Sequence, residues 1–99
     1  MMTATYLAAL MDAATGGNQS YEFEAAADLF RKPADDIVDV FINSIDGYGD
    51  NPAPFSYELN SAIKKAEQQV VMATGSLHVA RGEIPFLLMI APADKKAAA

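Results

Sequence analysis

Cysteine and tryptophan are absent from this 99-residue sequence, and histidine occurs once, at His78. Without cysteine the chain can form no disulfide framework, no zinc site built on thiolates and no cysteine nucleophile. One imidazole cannot supply the several histidines that many zinc sites use, and no spaced nucleophile motif surrounds His78. We therefore expect no metal site and no cofactor. A cysteine-free chain fits a reducing compartment, so a cytoplasmic location is predicted.

Long apolar runs are also missing. The longest, from Ile84 to Ala93, has ten residues, whereas a membrane-spanning helix needs roughly twenty. The first residues lack the basic segment that begins a signal peptide. The composition therefore predicts a soluble chain that does not enter a membrane, with one helical domain over residues 1–93 and a frayed tail at residues 94–99.

Basic residues are scarce in the first half of the chain. Residues 1–50 contain nine acids and two bases, residues 51–99 contain four acids and five bases, and the net charge is −6. Direct contact with nucleic acid needs clustered lysine and arginine, so it is not expected here. An acidic surface attracts basic partners and also keeps a protein soluble, so both interpretations stay open.

Apolar residues are abundant, and their spacing predicts helices. They make up 52% of the chain, and nineteen residues are alanine, the strongest helix former. Four segments that end at glycine or proline carry apolar residues every three or four positions. The predicted helices run from Thr3 or Thr5 to Gly16–Gly17, from Asn18 or Ser20 to Pro33, from Pro33 to Gly47, and from Pro54 or Ser56 to Gly75. The third has the most regular apolar face, formed by Ile37, Val38, Phe41, Ile42 and Ile45.

These segments predict an all-α or mostly α fold, a compact bundle of four helices with an undecided fifth element. Residues 76–91 form that element and allow two interpretations. One is a short helix that begins near Pro85, and the other is a hairpin that pairs Leu77–Arg81 with Phe86–Ile90. The helix is favoured, because a two-stranded ribbon alone is only marginally stable in water.

The stretch SIDGYGDNPAPFSYE, residues 44–58, is the least regular part of the sequence. Asp46, Tyr48 and Asp50 have the spacing of the first ligands of an EF-hand loop. Asn51 stands where that loop needs glycine, and Tyr57 stands where it needs glutamate, so calcium binding is not expected. We interpret the stretch as a connector on which Tyr48 could be an exposed contact residue.

Four acidic residues, Asp28, Asp35, Asp36 and Asp39, crowd the second and third predicted helices. Asp35 and Asp36 suit a helix N-terminus, whereas Asp39 repels Asp35 across one helical turn. Such a cluster is a hint of a basic partner. The predicted function is therefore non-catalytic: an acidic adaptor or inhibitor that binds a basic protein, including one whose nucleic-acid-binding surface it would block. The predicted contact residues are these four acids and Tyr48.

Two alternatives to this function stay open. The run from Pro85 to Ile90 is too apolar to lie exposed, so the chain could be an assembly module that forms a homodimer through Phe86, Leu88 and Ile90. The less favoured alternative is a small enzyme that uses His78.

Overall fold

The computed structural model describes residues 2–53, 56–65, 67, 69–80 and 82–93. Its elements in chain order are β1 (Thr3–Asp12), β2 (Asn18–Ala26), a 3-10 turn (Leu29–Arg31), α1 (Ala34–Ser44), β3 (Gly47–Tyr48), β4 (Asn51–Pro52), β5 (Ser56–Lys65), β6 (Val70–Val79) and β7 (Gly82–Pro92). The five long strands form one antiparallel sheet in the order β2-β1-β7-β6-β5. The predicted four-helix bundle is wrong, because most of this chain pairs as strands.

Only the third of the predicted helices is confirmed. It is α1, whose buried residues are Ile37, Val38, Phe41 and Ile42. The first, second and fourth predicted helices are wrong, since their residues form β1, β2, β5 and β6. Among the described residues no helix is long and apolar enough to cross a membrane.

The C-terminal segment is a hairpin and not the favoured helix. Its pairing differs from the hairpin alternative, because the turn follows Val79, which is paired with Gly82. Arg81, part of that alternative, lies outside the described residues, as does the predicted tail at 94–99. A hairpin that would be marginal alone is stable here because β7 also pairs with β1.

The first strand shows why helical spacing was misleading. Successive side chains of a strand point to opposite faces of a sheet. In β1 both faces are apolar: Tyr6, Ala8 and Leu10 are buried, while Leu7, Ala9 and Met11 lie on the opposite side. An apolar run of this kind hides the alternation of a strand and also satisfies a spacing of three or four.

Helix α1 covers one side of the sheet, which we call the inner face. Phe41 of the helix meets the ring of Phe23 at a centroid distance of 5.4 Å and the edge of Tyr21 at 5.4 Å. Tyr6 extends this aromatic cluster, 5.6 Å from Phe23. The inward residues of the central strands complete the core: Val71, Ala73, Leu77, Phe86, Leu88 and Ile90. The opposite side, which we call the outer face, carries no helix among the described residues.

The edge strand β5 contains a bulge between Leu59 and Ser61. A bulge leaves one residue unpaired and bends the strand. The bend brings the β5 backbone close to Gly75 of β6. A Cβ atom at Gly75 would collide with the carbonyl oxygen of Glu58, so glycine is required at this position.

Pro85 lies in β7, which is the central strand, although proline is normally confined to sheet edges. Its carbonyl oxygen accepts a hydrogen bond from the amide of Ala13 at 2.7 Å. The backbone nitrogen of Pro85 points the same way, towards β1. Asp12 is the last residue of β1 that is paired with β7. The missing N–H therefore lies at the end of the β1–β7 pairing and removes no hydrogen bond between β7 and β6, so the strand tolerates the proline.

Candidate interaction surfaces

A row of residues, apolar on four of its five strands, crosses the outer face from one edge of the sheet to the other. The row joins Ser20, Ala9, Met89, Met72 and Ile63, which are paired in register across all five strands. Exposed fractions of its large side chains are 45% for Met89, 44% for Met72 and 55% for Ile63, and that of neighbouring Leu7 is 42%. Scattered exposed apolar side chains are normal, whereas a contiguous apolar surface marks an interaction site.

The two ends of this row differ in size and in charge. On the side of β1 and β2 the residues are small, and a depression of about 250 Å³ lies over Ala9, Ser20 and Ala91. On the side of β5 and β6 the large side chains of Met72 and Ile63 stand out. Two residues further along the edge strands, β2 carries Glu22 and β5 carries Lys65, both exposed. The outer face is therefore apolar in the middle, and in the row of Leu7 it carries an acid at one edge and a base at the other.

Three of the predicted acidic contact residues lie on the exposed side of α1. Asp39 is held in place, because its Oδ1 accepts a hydrogen bond from the Tyr57 hydroxyl at 2.8 Å and its Oδ2 accepts one from the Asn43 amide at 3.1 Å. Burial raises the pKa of Tyr57, and the hydrogen bond to Asp39 raises it further. Asp39 thus fastens the helix to β5, which explains its position without a partner.

Asp35 and Asp36 are exposed in the first turn of α1. Asp28 is separate from them, since it precedes the 3-10 turn and its carbonyl oxygen accepts the amide of Arg31 at 2.9 Å. Among the described residues, the ion pairs within 4 Å are those that His78 makes with Glu58 and Glu83. Within that part of the chain no lysine or arginine neutralises Asp35 or Asp36, so this end of the helix keeps its negative charge.

Tyr48 is buried, unlike the exposed contact residue that the sequence suggested. Its hydroxyl donates to the carbonyl oxygen of Gly17 at 3.2 Å, and burial raises its pKa. Next to it, the hydroxyl of Tyr21 donates to the carbonyl oxygen of Gly47 at 2.9 Å. The Gln19 side-chain oxygen accepts the amide of Gly49 at 2.6 Å. The connector is therefore docked on the β1–β2 hairpin.

The three predicted self-association residues, Phe86, Leu88 and Ile90, are buried on the inner face. Their neighbours Leu87 and Met89 point to the outer face. The segment Pro85–Ile90 does carry an exposed apolar surface, but Leu87 and Met89 form it and not the three predicted residues. A partner could reach Leu88 only if α1 were displaced.

His78 lies at the polar end of the outer face, with its side chain about one-third exposed, at 31%. Its Nδ1 is 3.4 Å from a carboxylate oxygen of Glu83, and its Nε2 is 3.9 Å from one of Glu58. In the described part of the chain, no group of three or more histidine, aspartate or glutamate residues could hold a metal ion. Two carboxylates around an imidazole orient it, but no nucleophile is hydrogen-bonded to it among the described contacts.

The exposed apolar residues of the outer face were missed by the sequence reasoning. Leu7 and Met72 lie in segments that were predicted as helices, and Met89 lies in the undecided element at residues 76–91. The sequence did contain a signal for them. In the segment YLAALM the odd-numbered and the even-numbered residues are both mostly apolar, and a strand with this pattern has an apolar environment on both of its faces.

No protein-family model matches this chain, and no curated protein and no solved structure matches it either. A functional proposal therefore depends on the surfaces described above.

Proposed function

We propose that this chain is a non-catalytic protein–protein interaction module that binds its partner through the outer face of the sheet. The observation that carries the proposal is the apolar row of Ala9, Met89, Met72 and Ile63, which runs across four paired strands and is covered by none of the described elements. Removing such a surface from water is the main driving force of association. A cytoplasmic location is part of the proposal, since a cysteine-free chain fits a reducing compartment.

The free energy that the exposed apolar side chains can contribute to binding indicates how much of the outer face a partner must cover. Full burial of a large apolar side chain contributes about 1.5–3 kcal/mol. The four large side chains of this surface are already about half buried, so each has on the order of 1 kcal/mol left to gain. That sum does not offset the roughly 4–15 kcal/mol of lost freedom on association. The partner must therefore cover the neighbouring rows as well as the middle one.

A cysteine-labelling experiment tests this proposal, because the natural chain has no thiol of its own. We would introduce a single cysteine at Met89 on the outer face and, as a matched control, at exposed Asn43 on α1. Purified protein at nanomolar concentration and a concentrated lysate of the native host would each receive a maleimide probe. We expect labelling at position 89 to slow at least tenfold in the lysate, while labelling at position 43 does not change. Equal rates at both positions would contradict the proposal.

A second candidate partner surface is the first turn of α1. Asp35 and Asp36 are exposed and are not neutralised within the described residues, and such a surface attracts a basic protein. The partner would be a basic protein whose nucleic-acid-binding surface this chain could cover. The double variant Asp35→Lys, Asp36→Lys should then lose a salt-sensitive basic partner in affinity capture. The control Glu67→Lys changes charge elsewhere and should keep it, whereas capture by all three proteins would contradict this candidate.

A further inference from the structure

We propose that the occupant of the outer face is a second copy of this chain, packed face to face about a two-fold axis parallel to β7. This inference rests on the proposed function, because it identifies the partner of the same surface. Two antiparallel sheets that pack in this way form a sandwich with a shared apolar layer about 10 Å thick. Strand order, side-chain size and charge each support this arrangement.

Strand order makes the outer face self-complementary. In the order β2-β1-β7-β6-β5 the central strand is β7. A two-fold axis parallel to β7 and midway between the sheets places β7 over the second copy's β7. The same rotation places β1 over β6 and β2 over β5. The two halves of one face therefore meet the opposite halves of the other, as a two-fold interface requires.

Side-chain size agrees with this arrangement. Ala9 of β1 would face Met72 of the second copy, and Ser20 of β2 would face Ile63 of the second copy. The small residues are those under the depression of about 250 Å³, and the large residues are those that stand out on β5 and β6. Met89, on the axis, would meet its own copy, and methionine adapts well to such contacts.

Charge selects the direction of the axis. With the axis parallel to β7, Glu22 on one edge approaches Lys65 of the second copy, and the pair occurs twice by symmetry. With an axis perpendicular to the strands along the Met89 row, Glu22 would face Asn18 of the second copy and Lys65 would face its Ser61, so neither charge would meet an opposite charge. Aligned sheets cross at about −30°, which shifts the edge strands by about 5 Å along their length. Glutamate and lysine side chains are long enough to span such a shift.

The extent of the apolar part predicts a weak dimer. Five strands spaced about 4.8 Å apart and three outward rows about 6.7 Å apart span roughly 500 Å² in projection. Two copies would bury on the order of 1,000 Å², the lower limit for a specific interface. The polar end, with Glu58, His78 and Glu83, lies outside these rows, about 20 Å along β7 from Met89. We expect a dissociation constant in the micromolar range, because even larger interfaces can be that weak.

Sedimentation of the purified chain over a wide concentration range tests this inference. We expect a monomer–dimer equilibrium in the wild-type protein. Met89→Lys, which places two lysines on the axis, should weaken the dimer at least 100-fold while far-ultraviolet circular dichroism stays unchanged. Glu22→Lys and Lys65→Glu should each weaken it about two- to tenfold, and the double reversal should restore it to within about twofold, since exposed charge pairs have modest energies.

Crosslinking between single cysteines tests the axis itself. Ser20→Cys and Ile63→Cys, mixed and treated with a short bismaleimide, should form a heterodimeric product. Each variant alone should form at least tenfold less of it, because the two copies of Ser20 would lie at opposite edges, about 20 Å apart. Efficient crosslinking of Ser20→Cys alone would overturn the proposed axis.

The outcomes separate this inference from the proposed function. A chain that stays monomeric at every concentration, yet is protected at position 89 in the lysate, overturns the self-association and leaves the interaction surface standing. A chain that is monomeric and unprotected overturns both. A dimer that Met89→Lys does not weaken also overturns the inference, since it must use another surface.

Discussion

The inner and outer faces of the sheet are made by the same strands, yet only one of them is covered. Leu88 and Met89 are neighbours in β7, and the first is fully buried whereas the second is about half exposed. The inner face is closed by α1 and the docked connector. The outer face has equally apolar side chains in its middle and no covering element among the described residues.

The two faces also treat their polar groups differently. On the inner face Tyr57 donates to Asp39, and the Lys64 ammonium donates to the carbonyl oxygens of Phe30 and Lys32 at 3.0 and 2.7 Å. Both of these polar groups therefore have partners over the core. On the outer face Glu22 and Lys65 stand exposed at the edges, and His78 lies between Glu58 and Glu83 at the polar end. This contrast indicates that the inner face serves stability and that the outer face can be changed without unfolding the chain.

The strongest test of this contrast compares two variants that place an aspartate at neighbouring positions of β7, one on the inner face and one on the outer face. Leu88→Asp should prevent folding, because a carboxylate would be buried in the core without a partner. Met89→Asp should leave the fold intact, because position 89 reaches solvent. Far-ultraviolet circular dichroism and urea unfolding would show the difference. A folded Leu88→Asp protein would contradict the assignment of the two faces.

A smaller but still large effect is expected at Gly75, where β5 bends over β6. Gly75→Ala should lower the free energy of unfolding by about 1–3 kcal/mol, because the added methyl group meets backbone that cannot move aside easily. Ser76→Ala, one residue away on the outer face, is the matched control and should change it by less than about 0.5 kcal/mol. Urea midpoints of the two variants provide the measurement. Equal midpoints would show that the bulge relaxes to accept the methyl group.

Tyr57→Phe removes the hydrogen bond that fastens α1 to the sheet. We expect the free energy of unfolding to fall by about 1 kcal/mol at neutral pH. The pKa of Tyr57 is raised in the folded protein above its ordinary value of about 10. The contribution of Tyr57 to the free energy of unfolding is therefore complete below about pH 10. It is lost as the pH rises through the raised pKa, because the hydroxyl then ionises in the folded protein.

Urea unfolding at pH 8 and at pH 11 would show this dependence. The wild-type protein should lose more stability between the two values than Tyr57→Phe does. Some loss should remain in the variant, because burial also raises the pKa of Tyr6, Tyr21 and Tyr48. An identical loss in both proteins would mean that Tyr57 does not contribute.

The smallest effect on stability is expected at Ile63, on the edge strand β5 of the outer face. Ile63→Thr keeps a β-branched side chain in a strand and removes exposed apolar surface. The free energy of unfolding should change by less than about 0.5 kcal/mol, while retention on a hydrophobic column should decrease. A large loss of stability would show that the outer face is part of the core of a single chain.

The sequence predicted one element well and most of the others badly, for identifiable reasons. Helix α1 has an apolar face and an exposed acidic side, so its period is unambiguous. β1 and β7 are apolar on both faces, so no alternation was visible in them. The segment SYEFE of β2 does alternate, with Tyr21 and Phe23 inward, and this strand signal was outweighed by the alanines that follow.

The candidate site was only partly predictable. Asp35 and Asp36 lie exposed on α1 as expected, because a helix stripe also defines its polar side. Tyr48 could not be placed from sequence, since its burial depends on the β1–β2 hairpin, some thirty residues earlier in the chain. The outer face itself depends on pairing in register across five strands, and spacing within one segment carries no information about that register.

The position of β7 has a consequence for how the chain is made. β7 is the last of the described strands in chain order, yet in the sheet it lies between β1 and β6. Until the ribosome has produced residues 82–92, the β1–β2 hairpin has no contact within the sheet to the β5–β6 hairpin. Pairing across about eighty residues of sequence closes a long loop and is intrinsically slow. We therefore expect the nascent chain to need shielding from aggregation until β7 is synthesised.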